Sequence, residues 1–364
     1  MAVSVALYLG WARLPSVLPP VTWHAHELLF GFAAAAVAGF VLTAAPNWTG
    51  RPPLAGGPLL LLLGLWAAGR LAVATSAAIG AGIAAVVDVA FLAVLALIVG
   101  REIIRGNNRR NRPVVAALAL LAAANAGFHA EVLVWGDPTA PVSTRLAIAV
   151  LTGLVAFIGG RIVPAFTRNW LAKRQVAEAA LPAPFAGPDR LALAALAIAL
   201  AAWTVAPTGW PTALLLAGAA VSTFVRLARW RGLATLGEPL LWSLHLAYLW
   251  LPAGLALLAL AAAGWLPALP AWHALTAGAM TAMILAVMTR ASLGHTGRPL
   301  AAGNAETLIY GLALLAAVAR IAAGLAPASL PLLLLSAGLW IACFVVFLAR
   351  YGPILIAPRA DRGS

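Results

Sequence analysis

The 364-residue chain is 63% hydrophobic and only 9% charged, with a mean hydropathy of +0.98. Soluble domains carry about a quarter charged residues, so an ordinary soluble fold is excluded. A formal net charge of +13 suggests nucleic acid, but all basic residues except Lys173 are arginines, and nearly all sit in short loops between apolar runs. That is the imprint of membrane topology and anionic lipid, and no nucleic-acid partner is expected.

Long apolar runs separated by short polar loops predict an all-α polytopic transmembrane bundle forming a single integral membrane domain over 1–364. No alternating ten-residue strands of a β-barrel are present. The opening MAVSVALYLGWA is apolar but only about 18 Å long as a helix, short of a span. It lacks a basic n-region and an A-x-A cleavage site, so it reads as a partial first helix rather than a signal peptide. Eleven complete spans follow, at 24–45, 57–75, 77–100, 113–134, 143–165, 190–206, 211–230, 239–262, 271–290, 304–323 and 329–350, giving about 12 helices in all. The longest loop, 166–189, reads as a linker.

Arginines mark alternate connections. Arg101, Arg105, Arg109, Arg110 and Arg112 share one loop; Arg168, Lys173, Arg174 and Arg190 another; then come Arg226, Arg229 and Arg231, then Arg290 and Arg298, then Arg350, Arg359 and Arg362. The intervening WGDPTAPVS, APTGWP, GWLPALPAW and GLAPASLP carry no Lys or Arg. The positive-inside rule then puts the arginine loops and both termini in the cytoplasm. His24, His26, His129 and His273 fall toward the outer side, His245 and His295 toward the cytoplasmic side.

Two stretches share an outline and form a possible internal repeat. WHAHELLFGFAAAAVAGFVLTAAPNWTGRPPL begins at Trp23, and WHALTAGAMTAMILAVMTRASLGHTGRPL begins at Trp272. Each opens on Trp-His-Ala and closes on Thr-Gly-Arg-Pro. His24 and His273 therefore stand at matching depth in two spans. His26, two residues past His24, points about 200° away on a regular helix. His24 shares a face with Glu27, Gly31, Ala35 and Gly39, a small-residue stripe suited to a close helix or a flat cofactor. Glu27 suits a helix cap or a partner supporting a ligand histidine.

His273 shares a face with Thr276, Ala277 and Met280, with Met283 alongside. Imidazole and thioether together suit copper or haem iron, although both methionines equally suit core packing. His245 lies inside a span near Trp242 and Tyr248, where a buried imidazole points to ligation or proton handling, or to a satisfied structural role. His295 belongs to the loop GHTGRP. His129, beside Glu131, has no supporting motif. Arg70, Asp88, Asn125 and Arg161 lie in or near apolar runs and must pair internally. Arg161, Arg51 and Arg298 suit carboxylates such as haem propionates, or lipid phosphate by snorkelling. Lone Cys343 excludes an intrachain disulfide and reads as packing. The chain has no CxxCH, Walker loop, GxGxxG turn or HExxH.

WHAHELLFGF, PNWTGRPPL, IGGRIVPAFTRN and VMTRASLGHTGRPL resemble the signature blocks of the NnrS family, bacterial membrane proteins of the nitric oxide response. The resemblance covers essentially the full chain except the N-terminus, where that family usually carries a longer first helix. It implies a multipass inner-membrane protein containing haem and copper that relieves nitrosative stress. On that basis His24 and His273 are expected to ligate a b-type haem. Copper is expected nearby at His26, or with His245 and His295 on the other side. The expected partners are the lipid bilayer, nitric oxide or a similar diatomic ligand, and a quinol or other electron donor. A multipass transporter and a membrane NO/quinol oxidoreductase are the competing readings.

Overall fold

The computed structural model describes residues 1–136, 141–326 and 329–360. Arg362 and parts of the connections WGDPTAPVS and GLAPASLP lie outside them. The described residues form no strand. Among the described residues a short helix, α1 (Ala2–Tyr8), precedes eleven long ones. These are α2 (Pro20–Thr49), α3 (Gly57–Ala74), α4 (Ala81–Arg105), α5 (Arg109–Trp135), α6 (Val142–Lys173), α7 (Gly187–Val205), α8 (Trp210–Ala228), α9 (Pro239–Ala262), α10 (Ala268–His295), α11 (Asn304–Leu325) and α12 (Leu330–Ile356). All eleven are long and apolar enough to cross a membrane. The large apolar side chains left exposed along them, such as Leu60, Leu61, Val86, Leu97 and Val221, suit contact with lipid. At seven residues α1 reaches only about 10 Å, well short of a span.

Proline sets many of the helix starts. Pro20, Pro58, Pro188, Pro211, Pro239 and Pro331 occupy first or second helical positions, where the missing N–H costs nothing. Acidic side chains complete two starts: Asp189 accepts from Ala186 N at 3.0 Å, and Glu306 accepts from Gly303 N at 2.7 Å. One difference from expectation lies at α6, which continues to Lys173 rather than stopping near 165. Its last turns carry Arg168, Asn169 and Lys173, so the helix outruns its apolar stretch and shortens the linker that follows.

The chain divides into two compact units, Met1–Leu151 and Thr152–Ser364. In the first, α4 packs against α2, α3 and α5, so a side chain on its inner face is surrounded by helices. In the second, α9 packs against α8, α10 and the middle of α6, while α11 packs on α10 and α12.

Among the described residues three helices carry a π-helical segment in mid-course: Glu27–Ala33 in α2, Val155–Gly159 in α6 and Ala274–Met280 in α10. A π segment breaks the regular i→i−4 ladder, and each here has a side-chain donor on a nearby carbonyl. Trp66 Nε1 donates to Gly31 O at 3.1 Å, Arg226 Nη1 to Ala156 O at 3.0 Å, and Thr281 Oγ1 to Thr276 O at 3.1 Å. Two of these helices are the look-alike stretches. Their closing turns also agree: Gly50 and Gly297 are both left-handed, at φ 68° and 70°. Thr49 and Thr296 each bond the carbonyl four residues back, at 2.8 and 2.6 Å. The third π segment has no counterpart in the sequence comparison of the two stretches.

Candidate functional site

The strongest concentration of polar chemistry in the first unit is built on α4. Asp88 projects from this helix among α2, α3 and α5 and is almost fully buried. Its Oδ2 lies 3.1 Å from His26 Nε2 and 2.9 Å from His129 Nε2, and accepts from Asn125 Nδ2 at 2.8 Å. Arg70 holds the other oxygen, Oδ1, and donates from Nη1 to Glu27 Oε1 at 2.7 Å. Glu27 in turn faces His26 Nδ1 at 3.2 Å. Asn125 Oδ1 stands 3.2 Å from His26 Nε2.

His26 is completely buried, with its ring between Phe30 and Phe128 at centroid distances of 5.2 and 5.0 Å. It is the last residue before the π segment of α2, and Glu27 is the first within it, so both side chains reach the same cluster from adjacent positions. Close helix approach completes the enclosure. A β-carbon on Gly69 would stand 2.9 Å from Asp88 Oδ1, and one on Gly31 would stand 2.8 Å from Arg70 Nη1. Only glycine leaves room for the carboxylate and the guanidinium. One ligand atom each from His26, Asp88 and His129 falls within 4.8 Å of the others, a spacing that suits a metal ion.

The second unit has a different buried charge. Arg226 is 2% exposed; its Nε donates to Asp189 Oδ1 at 3.0 Å and its Nη1 to Tyr248 OH at 2.9 Å. Nη1 and Nη2 also reach the carbonyls of Ala156 and Gly160, at 3.0 and 3.3 Å, on either side of the α6 π segment's end. A β-carbon on Gly160 would sit 2.2 Å from Arg226 Nη2. Sequence topology groups Arg226 with the loop arginines; burial and Asp189 make it an internal residue instead. Arg229 also donates to Asp189 Oδ2, at 2.9 Å.

The chain belongs to a recognisable lineage: the NnrS protein family model matches residues 1–359, essentially its whole length. The chain is an NnrS-family protein. No curated protein and no solved structure matches it.

Of the histidines singled out in this NnrS-family sequence, His26 stands at the centre of the α4 cluster, while His24 is half-buried two residues earlier in α2. His273 Nδ1 donates to Leu269 O at 2.8 Å; since a carbonyl only accepts, Nδ1 carries the proton and Nε2 of the neutral ring the lone pair. His245 Nε2 lies 2.8 Å from Thr167 Oγ1, whose own hydrogen points to Val163 O at 2.9 Å. Gly232 covers its other nitrogen, for a β-carbon there would be 2.8 Å from Nδ1. His295 is exposed at the end of α10. Met280 and Met283 are buried, and the Met283 methyl faces Gly159. Arg161 lies over the Phe157 ring at 3.9 Å, Arg51 pairs with Glu102, and Arg298 donates to Thr296 O at 3.4 Å.

Sequence reasoning undervalued His129 and read Asp88 and Asn125 only as residues needing partners. The spans read from sequence place these residues at different depths, so no shared level pointed to their meeting. Periodicity along one helix does not report which residues of different helices converge.

Proposed function

We propose that this NnrS-family protein is an inner-membrane metalloprotein that holds b-type haem and copper and protects the cell against nitric oxide, by binding it or by haem-based redox chemistry. Family membership over residues 1–359 carries this reading. The donor chemistry is compatible with it. Imidazole suits copper and iron alike, and His26, His129 and Asp88 offer two imidazoles and a carboxylate within 4.8 Å. For haem, His273 has the Nδ1-protonated tautomer, so its Nε2 would be available to hold the iron. Haem, when bound there, would supply an iron able to bind a diatomic ligand.

The protein's own residues contribute burial and orientation. Leu269 O fixes the His273 ring, and Phe30 and Phe128 keep water from His26. The proposed orientation places the arginine-bearing connections in the cytoplasm. Placing both termini there requires the segment ahead of α2 to cross as well, and α1 covers seven residues of it.

The test is an optical spectrum and elemental analysis of detergent-purified protein expressed with ample haem and copper. A Soret band that shifts on adding nitric oxide is expected. Absence of that band overturns the haem assignment. Sustained NO consumption with a quinol donor identifies an oxidoreductase, whereas a single stoichiometric binding event identifies a sink or sensor.

A further inference from the structure

We propose that the outer face of α4 and the connection after it bind one anionic phospholipid, its phosphate among Arg101, Arg105 and Arg109 and an acyl chain along Val94 and Leu97. This inference is independent of the haem and copper reading and uses residues of the first unit alone.

Charge is the first observation. Residues 101–112 hold five arginines, Arg101, Arg105, Arg109, Arg110 and Arg112, and all five are exposed. The one acid in that stretch, Glu102, is taken by Arg51. Among the described residues Arg101, Arg105, Arg109 and Arg112 enter no ion pair. Arginines of other connections do have carboxylates: Arg168 meets Glu178, Arg229 meets Asp189 and Arg350 meets Glu306. Like charges one helical turn apart, as at Arg101 and Arg105, repel each other. An anion between them relieves that repulsion, and the planar guanidinium fork matches phosphate oxygens.

The second observation is what lies beneath the charge. With 25 residues α4 is about 37 Å long, against about 30 Å of hydrocarbon, so its arginine end extends into the headgroup layer. Leu92, Leu95, Val99 and Ile103 are buried on its inner face. On the opposite side Leu97, Arg101 and Ile104 follow one another at i, i+4 and i+7. Leu97 is 72% and Ile104 71% exposed, and Val94 is exposed one turn below Leu97. An apolar stripe leading up to guanidinium groups on one face matches a molecule with a chain and a phosphate. A free phosphate would use the arginines and leave the stripe bare.

The connection is also braced, so little ordering is left for a ligand to impose. Asn108 Oδ1 accepts from Asn111 N and Nδ2 at 3.1 and 3.2 Å, and Asn108 Nδ2 donates to Trp48 O. Gly106 lies flush against α2, where a β-carbon would stand 2.6 Å from Thr49 Cβ.

The experiment takes the delipidated full chain in non-ionic detergent and titrates it with phosphatidylglycerol and, separately, with phosphatidylcholine of the same chains. Native mass spectrometry counts the lipid adducts. The first phosphatidylglycerol should bind about tenfold more tightly than the first phosphatidylcholine. The triple variant Arg101→Gln/Arg105→Gln/Arg109→Gln should bind phosphatidylglycerol at least about tenfold more weakly, since each arginine near an anionic lipid is worth about fivefold. A control triple, Lys173→Gln/Arg174→Gln/Arg190→Gln, removes the same charge from another connection and should keep the preference. An unchanged thermal-unfolding midpoint shows that each variant is folded; if the site triple does not fold, Arg101→Gln alone should weaken binding about fivefold. Soluble glycerol phosphate, a headgroup without chains, should fail to displace the lipid at equal concentration. Equal affinity for the two lipids, equal loss in both triples or undiminished binding by the folded site variants overturns the assignment. So does displacement by glycerol phosphate, which marks a free-anion site, or a two-chain species in place of lipid adducts, which gives the face to a second copy.

Discussion

The Asp88 cluster in the first unit and the Arg226 cluster in the second both bury charge against a π-helical segment, yet their balance differs. Arg226 meets Asp189, Tyr248 and two backbone carbonyls, so four of its five N–H groups have acceptors and its charge has a counter-ion. In the other cluster two carboxylates face one guanidinium, and two imidazoles converge on a single oxygen. Burial of charge therefore does not identify a site. The meeting of two imidazoles at one buried carboxylate oxygen is the more discriminating sign.

That contrast is open to direct tests. Arg226→Leu strands Asp189 and Tyr248 and strips the donors from the α6 carbonyls. It should destabilise the protein by about 3–5 kcal/mol, seen as a lower midpoint in thermal unfolding, with metal content per folded chain unchanged. Wild-type stability in this variant would mean that Arg226 is not a strut. Gly160→Ala places a methyl against the same guanidinium and should cost about 1–3 kcal/mol in the same assay. Gly31→Ala, which meets the end of the more adaptable Arg70 side chain, should cost less. The smallest effect expected is from Thr281→Val, which removes the donor bracing the α10 π segment; about 1 kcal/mol is the scale for one such hydrogen bond. A neutral result there would show that the segment holds its shape by packing alone.

Much of the scaffold was legible in the sequence because its physical cause is local. A run of about twenty apolar residues must satisfy its backbone internally, so helix number and approximate limits follow from composition. The Thr-Gly-Arg-Pro closures were legible for a similar reason: glycine permits the left-handed turn seen at Gly50 and Gly297. The candidate site was only partly legible. His26 was marked as a donor, and Asp88, Asn125 and Arg70 as residues bound to find partners. Their meeting with His129 depends on which faces of α2, α3, α4 and α5 turn toward one another, and a uniformly apolar helix carries little periodic signal to tell.

The π segments compounded that difficulty. A regular helical wheel links Glu27 to the His24 face, whereas the folded chain brings Glu27 to His26. The third segment, Val155–Gly159, lies in a stretch with no outward resemblance to the other two. Sequence alone determined that this is a multi-span helical membrane protein of the NnrS family, because hydropathy and motif strings are properties of the chain itself. Tertiary structure decided which buried charges and imidazoles meet, because those meetings arise between helices distant in sequence.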